Sequence, residues 1–600
     1  MNEIKERNEI AEEYKWDLSS LFKNDEEWQN ALKESEAFVT EAASYQGKLH
    51  DPAMIAEFFR KETEMSRKME DLFCYVHLRK SEDNTNEKAQ AMFGQAMSRY
   101  VELMTVSAYV EPEILSMSME ELNGLLEQEG LKDYRFNLEK LIKKKAHTLS
   151  VEEERIMASF AEVNQAAGEI ADYLMDADMV FDSVKDSNGQ EHEVSGANYI
   201  LLQSNPDRVL RENAFRSFYK TYRQHNNTLT STYSTNVKAA TVEAKLRHYP
   251  SSREMSMSQS DIPEEVYDQL IGTVHAHMPA MHRYASLRKK ILKLDELHYY
   301  DVYTPLVASA EKEYTYEQAQ ELILEALAPL GKEYTDVVRS AFKDRWIDVY
   351  PNKGKSTGAF SSGTYDSNPY ILTNFTGTLD AVSTIAHEMG HSMHSYLSHH
   401  HQPAQYAHYT LFVAEVASTV NENLLIEKLL SEEKDPKVRL ALLNQYLENF
   451  KGTVYRQTMF AEFEKKAHEL VEARETLTPA LLNKIYADLI RDYFGEDLVM
   501  DEEVQYEWSR IPHFYRPFYV YVYATGYSTA VALSEKILHE GEDAVKKYLE
   551  FLSMGGSEYP LEELKHAGVD LTTPEPIDIA LQKFEKVLAE AEEIAAQLED

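Results

Sequence analysis

His387-Glu388-Met389-Gly390-His391 sets two imidazoles four residues apart, with a carboxylate beside the first. In a helix of about 3.6 residues per turn, positions i and i+4 project from one face, close enough to hold one metal ion. Neutral imidazoles suit zinc, and Glu388 can face a zinc-activated water and take its proton. Placed on a helix, the pattern is the working end of a zinc peptidase. With 21 His in the chain, these five residues alone leave the plainer alternative open: an amphipathic helix with two ordinary histidines.

A catalytic zinc keeps three protein ligands and one open position. Glu415 is the candidate third ligand, in the apolar run Leu411-Phe412-Val413-Ala414-Glu415-Val416-Ala417. A lone carboxylate there is costly to bury as an ion unless a positive charge compensates it. Glu422, seven residues on, shares its helix face and can accept a hydrogen bond from a ligand histidine; it is also the next candidate ligand. Asp380 is a weaker acceptor, or the cap of the motif helix. His394 is expected to pack beside the site, and His399-His400-His401 to be solvated beyond the helix end. The longer pattern with a third histidine close behind the motif is absent.

A second constellation follows at Ile511-Pro512-His513-Phe514-Tyr515-Arg516-Pro517-Phe518-Tyr519-Val520-Tyr521-Val522-Tyr523. Peptide hydrolysis builds an oxyanion, which neutral donors in a dry site stabilise. His513, Tyr519 and Tyr523 are the candidate donors, the two tyrosines sharing a face if the segment is helical. Tyr515, Tyr521 and Tyr527 read as core.

These groups need a scaffold. Lys353-Gly354-Lys355-Ser356-Thr357-Gly358 is turn-rich and lacks the ending of a phosphate loop. Pro369-Tyr370-Ile371-Leu372-Thr373-Asn374-Phe375 reads as a strand, whose edge could pair with an extended peptide. Leu297–Tyr303 and Ile347–Tyr350 are expected to join it in one small sheet. Elsewhere the pattern is helical almost throughout, with a capping box at Ser150–Glu153. A hairpin is expected over 179–194, turning at Asp186–Gly189, and a new helix at Asn205-Pro206 with proline in its first turn. Residues 577–598 form a charged amphipathic helix that packs on the body or mediates self-association.

The order of glycine-rich loop, Tyr-Ile-Leu-Thr-Asn-Phe strand, His-Glu-Met-Gly-His helix, Phe-Val-Ala-Glu-Val-Ala-Ser-Thr helix and Ile-Pro-His-Phe-Tyr segment resembles the thimet oligopeptidase family of zinc peptidases. Within it, the likeness is to the bacterial oligoendopeptidase F branch, which Tyr14-Lys15-Trp16-Asp17-Leu18 also resembles. The resemblance implies a mainly α, multi-helix, channel-type fold with a small β-sheet beside the active-site helix. It implies one zinc ion per chain on His387, His391 and Glu415, with Glu388 as general base. His513 and one or more of the tyrosines after it would bind substrate or the oxyanion, and the channel would admit short peptides and exclude folded proteins. One boundary is expected near residue 200, between an N-terminal helical region (1–200) lining the channel and a catalytic region (201–600).

Composition excludes other classes. With 62 basic against 102 acidic residues the net charge is −40, which argues against nucleic acid, whose phosphates demand a positive face. Cys74 is the single cysteine, so disulfides within the chain and cysteine metal sites are excluded. The segment Met1–Arg7 has no apolar core of a signal peptide and no run is long enough to span a membrane, so a cytosolic protein is expected. The sequence sets no oligomeric state. Two alternatives to an endopeptidase stay open. An exopeptidase would need a cation for the substrate carboxylate, with Arg516 and Lys355 nearest; a non-catalytic peptide binder would have no use for Glu388.

Overall fold

Caps and turns start most elements where local chemistry asks for them. Ser150 accepts from Glu153 N while the Glu153 side chain accepts from Ser150 N, so the expected capping box is closed. Strands Val184–Lys185 and Glu191–His192 pair antiparallel around Gly189, at φ +82°, completing the expected hairpin. The helix expected at Asn205-Pro206 begins slightly later: Asp207 caps Arg208–Leu246, and Pro206 precedes the cap. Thr378, not Asp380, caps the motif helix, which runs Leu379–His401 and so takes in the three histidines.

The computed structural model describes residues 4–307 and 312–599; Met1–Glu3 of the N-terminal segment read above lie outside them. The described residues are mainly helical, with three small sheets. Contacts divide the chain into two units, each assembled from three segments. The first comprises Met1–Thr148, Glu311–Lys428 and Leu533–Gly568, the second Leu149–Ala310, Leu429–Ala532 and Val569–Asp600. The boundary expected near residue 200 falls within the Leu149–Ala310 segment.

In the first unit, strands order as Ile347–Asp348, Tyr370–Leu372, Phe360–Ser362. Tyr370–Leu372 is therefore central, parallel to Ile347–Asp348 and antiparallel to Phe360–Ser362. The expectation that it offers a free edge is corrected: its residues are buried on both faces, as an unbroken apolar run in a central strand should be. Phe360–Ser362 holds the edge that adjoins the motif helix. Leu297–His298 does not join this sheet but pairs with Leu498–Val499 in the second unit. A core around Trp16, Trp28, Leu72 and Leu78 continues onto Tyr370 and Leu372.

The second unit is built on the 39-residue helix Arg208–Leu246, packed by helices Ala161–Tyr173 and Arg456–Glu472 and by the 3₁₀ helix Glu502–Arg510. Its last element, Glu575–Glu599, lies on helix Pro436–Phe450 with Ile577, Leu581, Phe584 and Leu588 buried. Of the two roles expected for it, packing on the body is the one observed.

Asp348 ties the start of the chain to the sheet. Arg7 Nη1 donates to its Oδ1 at 2.8 Å, and Lys355 Nζ lies 2.7 Å from the same oxygen, both Lys355 and Asp348 side chains being 1% exposed. Lys355 is thus spent inside the protein and corrects its nomination as a carboxylate-capturing cation. Burial alone would raise the Asp348 carboxyl, but Arg7 and Lys355 outweigh it and hold it below its ordinary value. Asp348→Ala strands the buried Lys355 and leaves Arg7 with Glu82 as its carboxylate partner; it is expected to cost about 3–5 kcal/mol, read by thermal or denaturant unfolding. Because the folded pKa is depressed, the wild-type contribution is present above the unfolded value near ~4 and is lost as pH falls through the folded one. The mutational deficit should therefore shrink below about pH 4; a deficit unchanged there would exclude the ion pairs as its source.

Candidate metal centre

The motif helix projects the two imidazoles from one turn to the next. His387 Nε2 and His391 Nε2 stand 3.2 Å apart, and Glu415 Oε2 lies 3.4 Å from the first and 3.5 Å from the second. Three donors bound tetrahedrally at about 2.0–2.1 Å sit roughly 3.3–3.4 Å from one another. The triangle therefore fits a single small dication with two nitrogen donors and one carboxylate, the donor set of a zinc site with an open position. It is the one such cluster among the described residues.

Two of the three donors are aimed by a neighbour. His387 Nδ1–H donates to Glu422 Oε1 at 2.9 Å, which turns the lone pair of Nε2 towards the triangle. Ser418 Oγ donates to Glu415 Oε2 at 3.1 Å. Burial pulls His387 down, but its hydrogen bonds to Glu415 and Glu422 prevail and raise it to about 10. Hydrogen bonds from both histidines pull the Glu415 carboxyl far below its ordinary value. The carboxylates of Glu415, Glu422 and Glu388 thus gather negative charge around the two imidazoles, a place that calls for a cation. Glu388 is buried beside them at 7% exposure. Burial raises its carboxyl while the adjacent imidazoles oppose the rise, the direction that suits a group accepting and returning a proton.

Two helices must meet closely for this. Glu415 rides on helix Ala414–Glu432, and the contact with the motif helix is made at Gly390. A Cβ built there would stand 2.5 Å from Ala417 O and from Ser418 Cα. Asn421 Nδ2, fully buried, donates to Ala386 O at 3.0 Å across the same contact. On the other side of the motif helix the Ser392 and Ser361 hydroxyls bond at 2.8 Å, fixing it to the edge strand. Sequence reasoning missed Gly390, Asn421 and Ser418. For Gly390 a signal existed, since a glycine inside a strong helical pattern costs about 1 kcal/mol against alanine and needs a reason.

Other histidines fall where expected or close to it. His394 is buried and stacked on Tyr409 at 3.7 Å between centroids, beside the site. His400 and His401 are exposed, whereas His399 bonds Thr364 O at 3.0 Å and is only partly so. Asp380 lies in the first turn of the motif helix, seven residues before His387.

His513, Tyr519 and Tyr523 form a cluster of their own in the second unit. His513 sits in the 3₁₀ turn Pro512–Tyr515, Tyr523 in the first turn of helix Tyr521–Glu540, and Tyr519 just before that helix. The shared helix face expected for the two tyrosines is therefore not what joins them. Their rings still meet edge-on at 5.4 Å, and Tyr523 meets His513 edge-on at 5.9 Å. The His513 ring remains accessible, yet partial desolvation holds its pKa below the ordinary value. Arg516 lies over the Tyr519 ring, 3.9 Å from its centroid.

The model of Peptidase family M3 matches residues 201–583, and that of Oligopeptidase F matches residues 113–181. Oligopeptidase PepF of Bacillus subtilis is 45% identical over 595 residues, 99% of this chain and 89% of the relative. Group B oligopeptidase PepB of Streptococcus agalactiae is 41% identical, with 98% of each chain covered. Among solved structures, oligoendopeptidase-F of Enterococcus faecium superposes with a TM-score of 0.74 at 36% identity, covering 96% of this chain and 99% of that one. A protein of Chlamydophila abortus does so with a TM-score of 0.95 at 35% identity, covering 99% and 100%. A family match that runs unbroken through the motif helix, the Glu415 helix and the His513 turn means that this chain belongs to peptidase family M3 and is a metallopeptidase.

Proposed function

We propose that the chain is a zinc-dependent endopeptidase that cuts internal bonds of short, unfolded peptides. The triangle of His387 Nε2, His391 Nε2 and Glu415 Oε2, with Glu388 buried beside it, carries this reading. Relatives named oligopeptidases and oligoendopeptidases support a short-peptide substrate. When bound, one zinc per chain supplies Lewis acidity, polarising a carbonyl and making water nucleophilic near neutral pH. Glu388 takes the proton of the attacking water and returns it to the leaving amine. His513, with Tyr519 or Tyr523, donates hydrogen bonds to the carbonyl oxygen as charge develops on it. The edge strand Phe360–Ser362 offers main-chain pairing to an extended peptide. Residues 1–200 would line the channel that limits substrate size, and 201–600 would carry the chemistry. With a single cysteine and no helix among the described residues long and apolar enough to cross a membrane, the cytosol is the compartment that fits this role.

The test is cleavage of an internally quenched peptide blocked at both ends, with and without a chelator, beside folded albumin. Internal cuts in the peptide alone, abolished by chelation and restored by zinc, are expected. Terminal trimming of the free peptide with no cut in its blocked form would favour an exopeptidase instead. The burial of Lys355 against Asp348 already leaves that alternative with Arg516 alone of its two nominated cations.

A further inference from the structure

The segment that carries His513 and the two tyrosines is stapled from behind by groups the chemistry above does not use. Thr232 Oγ1 and the Tyr515 hydroxyl bond at 2.7 Å, and Asn236 Nδ2 donates to Tyr515 O at 3.1 Å. Ser256 Oγ donates to Pro517 O at 2.9 Å, and Phe518 N–H donates to Glu464 Oε1 at 2.7 Å.

The last of these bonds falls at the strained point of the segment. Phe518 adopts φ +54°, a left-handed conformation that a bulky residue enters only when its surroundings over-determine it. Its ring is buried, 4.5 Å from the His468 ring and 5.8 Å from that of Tyr267, centroid to centroid. Tyr519 follows directly, and the helix bearing Tyr523 opens at Tyr521. The backbone turn at Phe518 therefore sets where both tyrosines go.

Glu464 is a costly anchor. It is fully buried, and its Oε2 has no hydrogen-bond partner among the described residues. Burial pushes its carboxyl up to about 8, against the Phe518 N–H and the Tyr267 hydroxyl, which pull it down. His468, one turn further along the helix, gives no compensating charge, since burial lowers it to about 3. An apolar side chain would remove the unpaired Oε2 but would leave the buried Phe518 N–H without its acceptor. Strain at Phe518 and a lone acid at Glu464 thus meet at one hydrogen bond, and such joint departures from the cheapest structure cluster where function needs geometry.

We propose that Glu464 is a positioning residue: by holding the Phe518 N–H it fixes the backbone turn that brings Tyr519 and Tyr523 into register with His513. This rests on the reading in which those tyrosines meet the oxyanion. Gln keeps an acceptor for the N–H, so Glu464→Gln should retain kcat within about threefold. Glu464→Leu should lower kcat by about tenfold to 100-fold, with KM and metal content little changed. Combined with Tyr519→Phe or Tyr523→Phe, it should cost no more than the worse single change, because the two act through one contact. A Leu variant that keeps its kcat, losses that multiply in the double variants, or equal losses for Gln and Leu would overturn the proposal. Glu464→Met, matched in length, carries the same test if Leu does not fold; if neither folds while Gln does, Glu464 is a folding residue and the proposal fails. If Tyr519→Phe and Tyr523→Phe leave kcat unchanged, the oxyanion reading is what fails. The ¹⁹F resonances of 3-fluorotyrosine at 519 and 523, shifted by Leu or Met but not by Gln, then still read the positioning by itself, and unshifted resonances refute it.

Discussion

Glu388→Gln is expected to lower kcat by about 10²- to 10⁴-fold, the usual worth of a positioned general base, while metal stays at one ion per chain. Glu388 is not one of the three converging donors; these are His387 Nε2, His391 Nε2 and Glu415 Oε2. Gln matches Glu in shape and accepts hydrogen bonds, so the triangle should survive, but it cannot take a proton from water. The loss should therefore appear in kcat and kcat/KM together, with KM nearly constant. Stability should hold or rise slightly, because burial disfavours the charged form of Glu388 and an amide avoids that penalty. Steady-state kinetics on a blocked peptide, with metal content by elemental analysis of the same sample, checks both halves. Turnover within tenfold of wild type would place the base elsewhere; a metal-free variant would mean that the carboxylate supports the ligands.

Gly390→Ala is the second large effect, and helix propensity gets its sign wrong. Alanine is favoured over glycine in a helix by about 1 kcal/mol, so an isolated motif helix would gain. In the folded protein the new Cβ meets Ala417 O and Ser418 Cα at 2.5 Å and Ala417 C at 2.7 Å. These are backbone atoms of the helix that carries Glu415, and they cannot swing aside as a flexible side chain would. Reaching ordinary contact requires the helices to part by roughly 1 Å, and overpacking of this kind costs about 1–3 kcal/mol, outweighing the propensity gain. Glu415 moves with its helix, so the triangle opens; metal affinity should fall by about tenfold to 100-fold, and activity with it. Chelator competition and melting of metal-free and metal-loaded protein check this. Gly94, also helical but with nothing within 4 Å of its built Cβ, is the control: Gly94→Ala should stabilise. An undiminished metal affinity in Gly390→Ala would show that the site tolerates a wider helix spacing.

Some of the site was legible because its signals are local. Four-residue spacing places His387 and His391 on one face in any helix, and Glu415 declared itself as a lone carboxylate in an apolar run. Glu422, two turns further, duly reached His387. The capping box at Ser150 and the turn at Asp186–Gly189 were readable for the same reason, since hydrogen bonds within a few residues decide them. Tyr370-Ile371-Leu372 was readable as a strand but not as a central one, because its parallel neighbour Ile347–Asp348 lies beyond Phe360–Ser362 in sequence and no local signal reports that pairing. Tyr519 and Tyr523 meet ring to ring, but not through the shared helix face that their spacing suggested, since the left-handed Phe518 precedes a helix that opens only at Tyr521.

What the sequence determined by itself is the placing of His387 and His391 on one helix face with Glu388 beside them, because that geometry is the repeat of one helix and the candidate chemistry is carried by residue type. What only the tertiary structure decided is everything that needs two distant segments at one place. It brought Glu415 to the motif helix through the bare Gly390. It buried Lys355 against Asp348 and Arg7, removing a cation that the sequence leaves free. It set Glu464 behind Phe518. The reason is common to all three: periodicity and capping act over a turn or two of chain, whereas close approach, burial and charge pairing depend on which faces pack, and that is settled only when the whole core closes.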